Sequence, residues 1–153
     1  MQLNVLVDAS GNARLLDFGR MRIARKVDLP GSADSDRGLD VRWIAPEVLR
    51  SDSLVTMESD IFSFGMVIIE VRCDQSVIPQ PAYPLFKVFT GEVPFSEETS
   101  MMAAIKILNG ERPRRPNHSS FTETLWALTQ RCWSQEPHDR PNILEVTGVL
   151  KGL

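Results

Sequence analysis

Asn4 and Asp17 carry side-chain oxygens suited to a hard cation, and each stands beside a short apolar run. Val5 to Val7 and Ala13 to Leu16 flank Asp8-Ala-Ser-Gly-Asn12, a cluster of turn formers, so the two runs read as a β-hairpin. Asn4 precedes the first strand, and Asp17, with Phe18 and Gly19 after it, follows the second. An amide and a carboxylate held at neighbouring ends of one rigid hairpin can both present oxygens to Mg²⁺. An Asp before Phe-Gly at a strand end also serves as an ordinary turn or cap residue, and these residues by themselves leave both readings open. Farther along, Ser32 and Ser35 are the only hydroxyls of a polar stretch, residues 20 to 44, that has neither helical nor strand period. Phosphate on either serine could recruit Arg20, Arg22, Arg25 or Arg37 and order the loop. Plain solvated serines are the alternative.

Groups on loops need a framework, and the framework is built around Asp60 to Glu70. Between those carboxylates lie Ile61, Phe62, Phe64, Met66, Val67, Ile68 and Ile69, broken only by Ser63 and Gly65, so no face is polar. A segment apolar all round must run through the middle of a fold. The β-branched run Val67 to Ile69 would suit a strand. Its length, and a Ser59-Asp60 start that offers an N-cap oxygen, favour a buried helix.

The remainder reads as helices joined by polar turns. Ser96-Glu-Glu-Thr99 opens a segment with Met101, Ala104, Ile105 and Leu108 at helical spacing, ended by Asn109-Gly110. Glu111 to Pro116 is a basic, proline-rich loop that could touch an acidic partner, although a solvated connector is the plainer reading. Ser120-Phe-Thr-Glu123 reads as a capping box before Leu125, Leu128, Thr129 and Cys132, with Trp126 and Trp133 packed beneath. Asn142-Ile-Leu-Glu145 caps a last helix, with Ile143, Val146, Val149 and Leu150 expected to face inward.

Composition excludes several classes. The 153 residues are 42% apolar and 24% charged, enough for a core, and the net charge of -3 offers no basic surface for nucleic acid. The longest apolar run is too short for a bilayer, and no leader follows Met1, so a cytoplasmic, soluble chain is expected. Cys73 and Cys132 read as free thiols rather than a disulfide, and neither metal-ligand spacing nor an internal repeat is present.

The order of motifs adds a resemblance. Leu16-Asp17-Phe18-Gly19, Ala45-Pro46-Glu47, Ser59-Asp60-Ile-Phe-Ser-Phe-Gly65, Cys132-Trp133 and Arg140-Pro141 succeed one another at near-family spacing. The chain resembles the carboxy-terminal lobe of a eukaryotic protein kinase. Arg42-Trp43-Ile44 before Ala45, together with Cys132-Trp133, brings it closest to the tyrosine-kinase-like group and the tyrosine kinases. The resemblance implies a mainly α fold with a small β-hairpin, an α+β kinase domain present in part over residues 1 to 153, with the amino-terminal lobe absent. It also implies ATP and Mg²⁺ as cofactors and a protein substrate or docking partner. Asn4 matches the asparagine closing the catalytic loop and Asp17 the aspartate of the DFG motif, which hold Mg²⁺ on the ATP phosphates. Leu6 matches the floor of the adenine pocket and Leu16 its back wall, while Phe18 packs inward; plain core packing suits all three equally. Gly19 opens the activation segment, which carries Ser32 and Ser35. Asp40 occupies the place of a Thr or Ser that supports the catalytic aspartate, a departure that bears on efficient transfer. Glu47 and Arg140 are implied to form a buried ion pair, and Asp60 to accept hydrogen bonds from the catalytic-loop backbone.

The resemblance carries two further expectations. Residues 71 to 87 separate Glu70 from Val88-Phe-Thr-Gly91, where related kinases pass within a few residues into Thr-Gly-x-x-Pro-Phe, here Thr90 to Phe95. Val codons begin with GT and a Lys codon can end in AG, so a translated in-frame intron fits the segment bounded by Val71 and Lys87; a surface loop is the alternative. Met1 stands in the place of the catalytic-loop lysine, which puts the catalytic aspartate, the Gly-rich loop and the ATP-gripping lysine upstream. No catalytic residue is then expected within the chain, which should transfer no phosphate alone. A non-catalytic kinase-like binding module is the second reading.

Overall fold

The computed structural model describes residues 5–7, 13–15, 41–50, 55–70, 93–117 and 121–153. Strands β1 (Val5–Val7) and β2 (Ala13–Leu15) pair antiparallel, with Val5 opposite Leu15 and Leu6 opposite Arg14. Residues 8–12, where the sequence suggests a turn, and the segment 71–87 lie outside the described residues. The later described elements are helical: a 3-10 turn at Val41–Trp43, α1 (Pro46–Leu49), α2 (Met57–Glu70), α3 (Ser100–Leu108), α4 (Glu123–Cys132), a 3-10 turn at Pro137–Asp139 and α5 (Ile143–Lys151).

Helix α2 is the centre, as its composition requires. Phe62 and Met66 are wholly enclosed, and Ile61, Ile68 and Ile69 are buried with them. It begins earlier than Ser59-Asp60 suggests. The Thr56 carbonyl accepts from the Asp60 N–H at 3.2 Å, and the Thr56 hydroxyl accepts from the Ser59 N–H at 3.3 Å. Ser59 answers by accepting the Thr56 N–H at 3.0 Å, so Thr56 is the cap and Ser59 its partner three positions on.

Helix α4 lies against α2 where Gly65 has no side chain. A Cβ on Gly65 would stand 3.0 Å from Cys132 Cβ and 3.5 Å from the Thr129 carbonyl oxygen. The glycine thus sets the separation of the two helices. On the same side of the fold Trp126 meets Trp133 edge to face at 5.6 Å, and Phe121 lies 6.0 Å from Trp126.

The helix caps show where short polar residues outcompete neighbours of the same kind. Thr99 caps α3 by accepting from Met102, and Thr122 caps α4 by accepting from Leu125, so Thr122 takes the place expected of Ser120. Helix α3 ends at Asn109, and Gly110 takes the left-handed conformation (φ 84°) that terminates it. Its buried residues are Ala103 and Ile107, one position away from the expected stripe, and Met101 is 62% exposed. Asn142 makes the full capping box with Glu145 at the start of α5. Ile143 is nevertheless 59% exposed, because the first turn projects past the body and only Val146 is enclosed.

Candidate functional site

Glu47 and Arg140 meet in the interior. Ala45 is extended, Pro46 supplies the fixed φ of the first helical position, and Glu47 falls in the first turn of α1, where a carboxylate suits the helix dipole. Arg140 leaves the 3-10 turn at Pro137–Asp139 in extended conformation and runs inward. Its two terminal nitrogens reach the two Glu47 oxygens at 2.6 and 2.8 Å, a bidentate contact. The remaining donors go to the backbone carbonyls of Ser134 (3.0 Å), Glu58 (2.9 Å) and Gln135 (3.3 Å). All five N–H groups of the guanidinium are thereby used.

A second arginine shares the site. Arg112, in the loop after α3, donates to the carbonyls of Trp133 (2.8 Å), Ile107 (3.2 Å) and Glu111 (2.7 Å) and to Gln135 Oε1 (2.6 Å). Its guanidinium lies 5.0 Å from the centre of the Phe62 ring, and that of Arg140 lies 5.1 Å from the same point. Burial, then the nearby charge of Arg140, push the Arg112 pKa down to about 10, while Glu47 opposes the shift; it stays charged at neutral pH. The loop from Glu111 to Pro116 is therefore not a freely solvated connector: Arg112 is folded inward, and Arg115 holds Glu123 and the Phe121 carbonyl.

Other contacts fix the approach to α1. Arg42 is buried and donates to Ser100 Oγ (3.0 Å) and the Glu98 carbonyl (2.6 Å), joining the 3-10 turn to α3. Ser63 donates to the Trp43 carbonyl at 2.7 Å, which pins the same turn to α2. Asp60 stands at the surface in the first turn of α2, where desolvation by the body beneath raises its carboxyl pKa. Beside Arg112, a cavity of about 320 Å³ is lined by Phe95, Glu98, Lys106 and Arg114. Lys106 is held there by Glu98 at 2.6 Å, and that hydrogen bond raises the lysine pKa.

Of the residues singled out in the sequence, the structure brings Glu47 and Arg140 together and places Leu6 on β1. Asn4, Leu16, Asp17, Phe18, Gly19, Ser32, Ser35 and Asp40 lie outside the described residues. Among the described residues, no group of three or more His, Cys, Asp or Glu is arranged to hold a metal, and no helix is long and apolar enough to cross a membrane. Sequence reasoning missed Arg112, Phe62 as a ring close to two cations, and Gln135. A signal for Arg112 existed: a basic residue just past a helix-ending glycine can reach back to the last carbonyls, as Arg112 does to Ile107.

Comparison with known proteins gives the family. The family described as "Protein tyrosine and serine/threonine kinase" matches residues 2–150. A probable serine/threonine-protein kinase of Dictyostelium discoideum is 30% identical over 98% of this chain, which spans 14% of that protein. Serine/threonine-protein kinase STY17 of Arabidopsis thaliana is 31% identical over 98% of the chain, which spans 22% of it. The mitogen-activated protein kinase kinase kinase mkh1 of Cytospora mali is 33% identical over 90% of the chain, which spans 7% of it. With a family match across nearly its whole length, and with the Ala45-Pro46-Glu47 carboxylate locked onto Arg140, the chain belongs to the protein tyrosine and serine/threonine kinase family.

Proposed function

We propose that this chain is the carboxy-terminal lobe of an ATP-dependent protein kinase, which moves the γ-phosphoryl group of ATP to a protein hydroxyl, and that alone it transfers no phosphate. The observation that carries this reading is the bidentate Glu47–Arg140 contact. It ties α1, where the kinase resemblance ends the activation segment, to the turn after α4 and to the start of α2 through the Glu58 carbonyl.

In this reading Asn4 and Asp17 hold Mg²⁺ against the ATP phosphates, and Leu6 and Leu16 line the adenine site. The paired strands support it. Val5 opposite Leu15 marks the end of the pair from which the chain leads back to Asn4 and on to Asp17. An amide oxygen and a carboxylate are the hard donors that Mg²⁺ accepts. Bound Mg·ATP would supply the phosphoryl group and offset its charge. Phe18 and Gly19 begin the activation segment, Ser32 and Ser35 are its phosphate acceptors, and Glu47, Asp60 and Arg140 are scaffold. The catalytic aspartate and the Gly-rich loop belong to sequence before Asn4, and residues 71 to 87 are an added segment. The protein is intracellular.

The test supplies γ-labelled ATP and Mg²⁺ to the chain alone and to the chain joined to the upstream sequence read from its transcript. No transfer is expected from the first. Transfer is expected from the second, and Asp17→Asn should abolish it. Label transferred by the chain alone, and lost with Asp17→Asn, would overturn the claim of incapacity. A folded, extended protein that transfers nothing would replace it with a non-catalytic docking module, the reading that Asp40 favours.

A further inference from the structure

Glu47 has one carboxylate, yet two guanidiniums converge on its site. Arg112 and Arg140 both lie close to the ring of Phe62, 5.0 and 5.1 Å from its centre. They also share one short turn. The Trp133 carbonyl accepts from Arg112, and the next two carbonyls, Ser134 and Gln135, accept from Arg140. Gln135 joins the two directly, since its side-chain oxygen accepts from Arg112 while its backbone oxygen accepts from Arg140. The Gln135 amide nitrogen is in turn held by the Leu108 carbonyl at 3.3 Å.

We propose that Arg112 is a positioning residue for the Glu47–Arg140 pair, holding Phe62 and the 133–135 turn so that the Arg140 guanidinium meets Glu47 edge on. A bidentate contact requires the plane of Arg140 to be fixed, and a planar fork loses its advantage when rotated. The carbonyls of Ser134, Gln135 and Glu58 hold that plane by hydrogen bonds, and the Phe62 ring lies 5.1 Å from the guanidinium. Arg112 contacts two of these supports, the 133–135 turn through the Trp133 carbonyl and Gln135 Oε1, and the Phe62 ring. Its like charge also disfavours any swing of Arg140 toward the loop, which leaves Glu47 as the direction in which the cation is best compensated. The inference stands on these contacts and does not depend on phosphate transfer, so it can fail or hold independently of the kinase reading.

The experiment uses the 153-residue chain labelled with ¹⁵N-arginine and tracks the Arg140 Nε–H resonance and its exchange with water by NMR at pH 6. Arg112→Gln should speed that exchange on the order of tenfold, the size of coupling usual within one hydrogen-bond network. It should also move the resonance while tryptophan fluorescence reports an intact fold. Arg112→Lys, which keeps the charge and loses the fork, should do the same to a smaller degree. If Arg112→Gln does not fold, Arg112→Lys decides alone. An Arg140 resonance with unchanged shift and exchange in a folded variant would overturn the proposal and leave Arg112 as a staple for its own loop.

Discussion

Glu47 and Arg140 are 93 positions apart in the chain and 2.6 Å apart at their closest atoms. The Arg140 side chain is fully enclosed and that of Glu47 is 17% exposed, so the arginine has no solvent to return to if its partner is lost. Arg140→Ala leaves a carboxylate and the Ser134, Glu58 and Gln135 carbonyls without their donor, and should cost about 3–5 kcal/mol. Glu47→Gln keeps an acceptor and should cost less. Urea unfolding monitored by tryptophan fluorescence checks both, and equal costs for the two variants would show that the backbone contacts contribute little.

Two glycines in helices should respond oppositely to alanine. Gly65→Ala brings a methyl to 3.0 Å from Cys132 Cβ and 3.4 Å from the Trp133 backbone nitrogen, so α2 and α4 must separate. Overpacking costs roughly 1–3 kcal/mol and outweighs the ~1 kcal/mol gained in helix propensity. Gly148 in α5 has nothing within 4 Å of the place a methyl would occupy, so Gly148→Ala should raise stability by about 0.5–1 kcal/mol. Thermal melts of the two variants decide the matter, and a stabilised Gly65→Ala would mean that the α2–α4 interface yields.

Much of this architecture is legible in the residues, and the limits have physical causes. The helix from Met57 to Glu70 announces itself because seven large apolar residues leave it no polar face, yet its start is ambiguous, since Thr56, Ser59 and Asp60 can all cap. Ser120 and Thr122 present the same ambiguity two residues apart, and only the chain's path selects Thr122. Ile143 has the spacing of a core residue, but its exposure depends on where the body ends, which periodicity does not encode. Glu47–Arg140 could be named only through the family pattern, because no local rule links positions so distant. Arg112 is hidden by its setting: three arginines and two prolines in a short loop look solvated, and only the fold directs one of them inward.

The cap of α5 should behave as a two-residue unit. Asn142 Oδ1 accepts from Leu144 and Glu145 N–H, and Glu145 returns the contact to the Asn142 N–H at 2.9 Å. Asn142→Ala should cost about 1 kcal/mol. Glu145→Ala should cost less, since its Arg131 partner at 3.6 Å is a half-exposed pair. The double variant should cost less than the sum if the two bonds support each other. Strict additivity in urea unfolding would show two independent contacts instead.

Cys132 should give the protein an alkaline limit. Burial holds its thiol neutral and pushes the pKa from 9.0 up to about 11, with Arg131 opposing. The unfolded chain therefore releases this proton first as pH rises, and the folded state keeps it. Stability from this group is complete below about 9, falls between 9.0 and about 11, and levels off above, a change on the order of 3 kcal/mol. Cys132→Ala removes the dependence at the expense of a small cavity beside Gly65. The measurement is urea unfolding of both proteins at pH values across that window. The stability gap between parent and variant should shrink as pH rises; a constant gap would show that the Cys132 thiol ionises alike in the folded and unfolded chains.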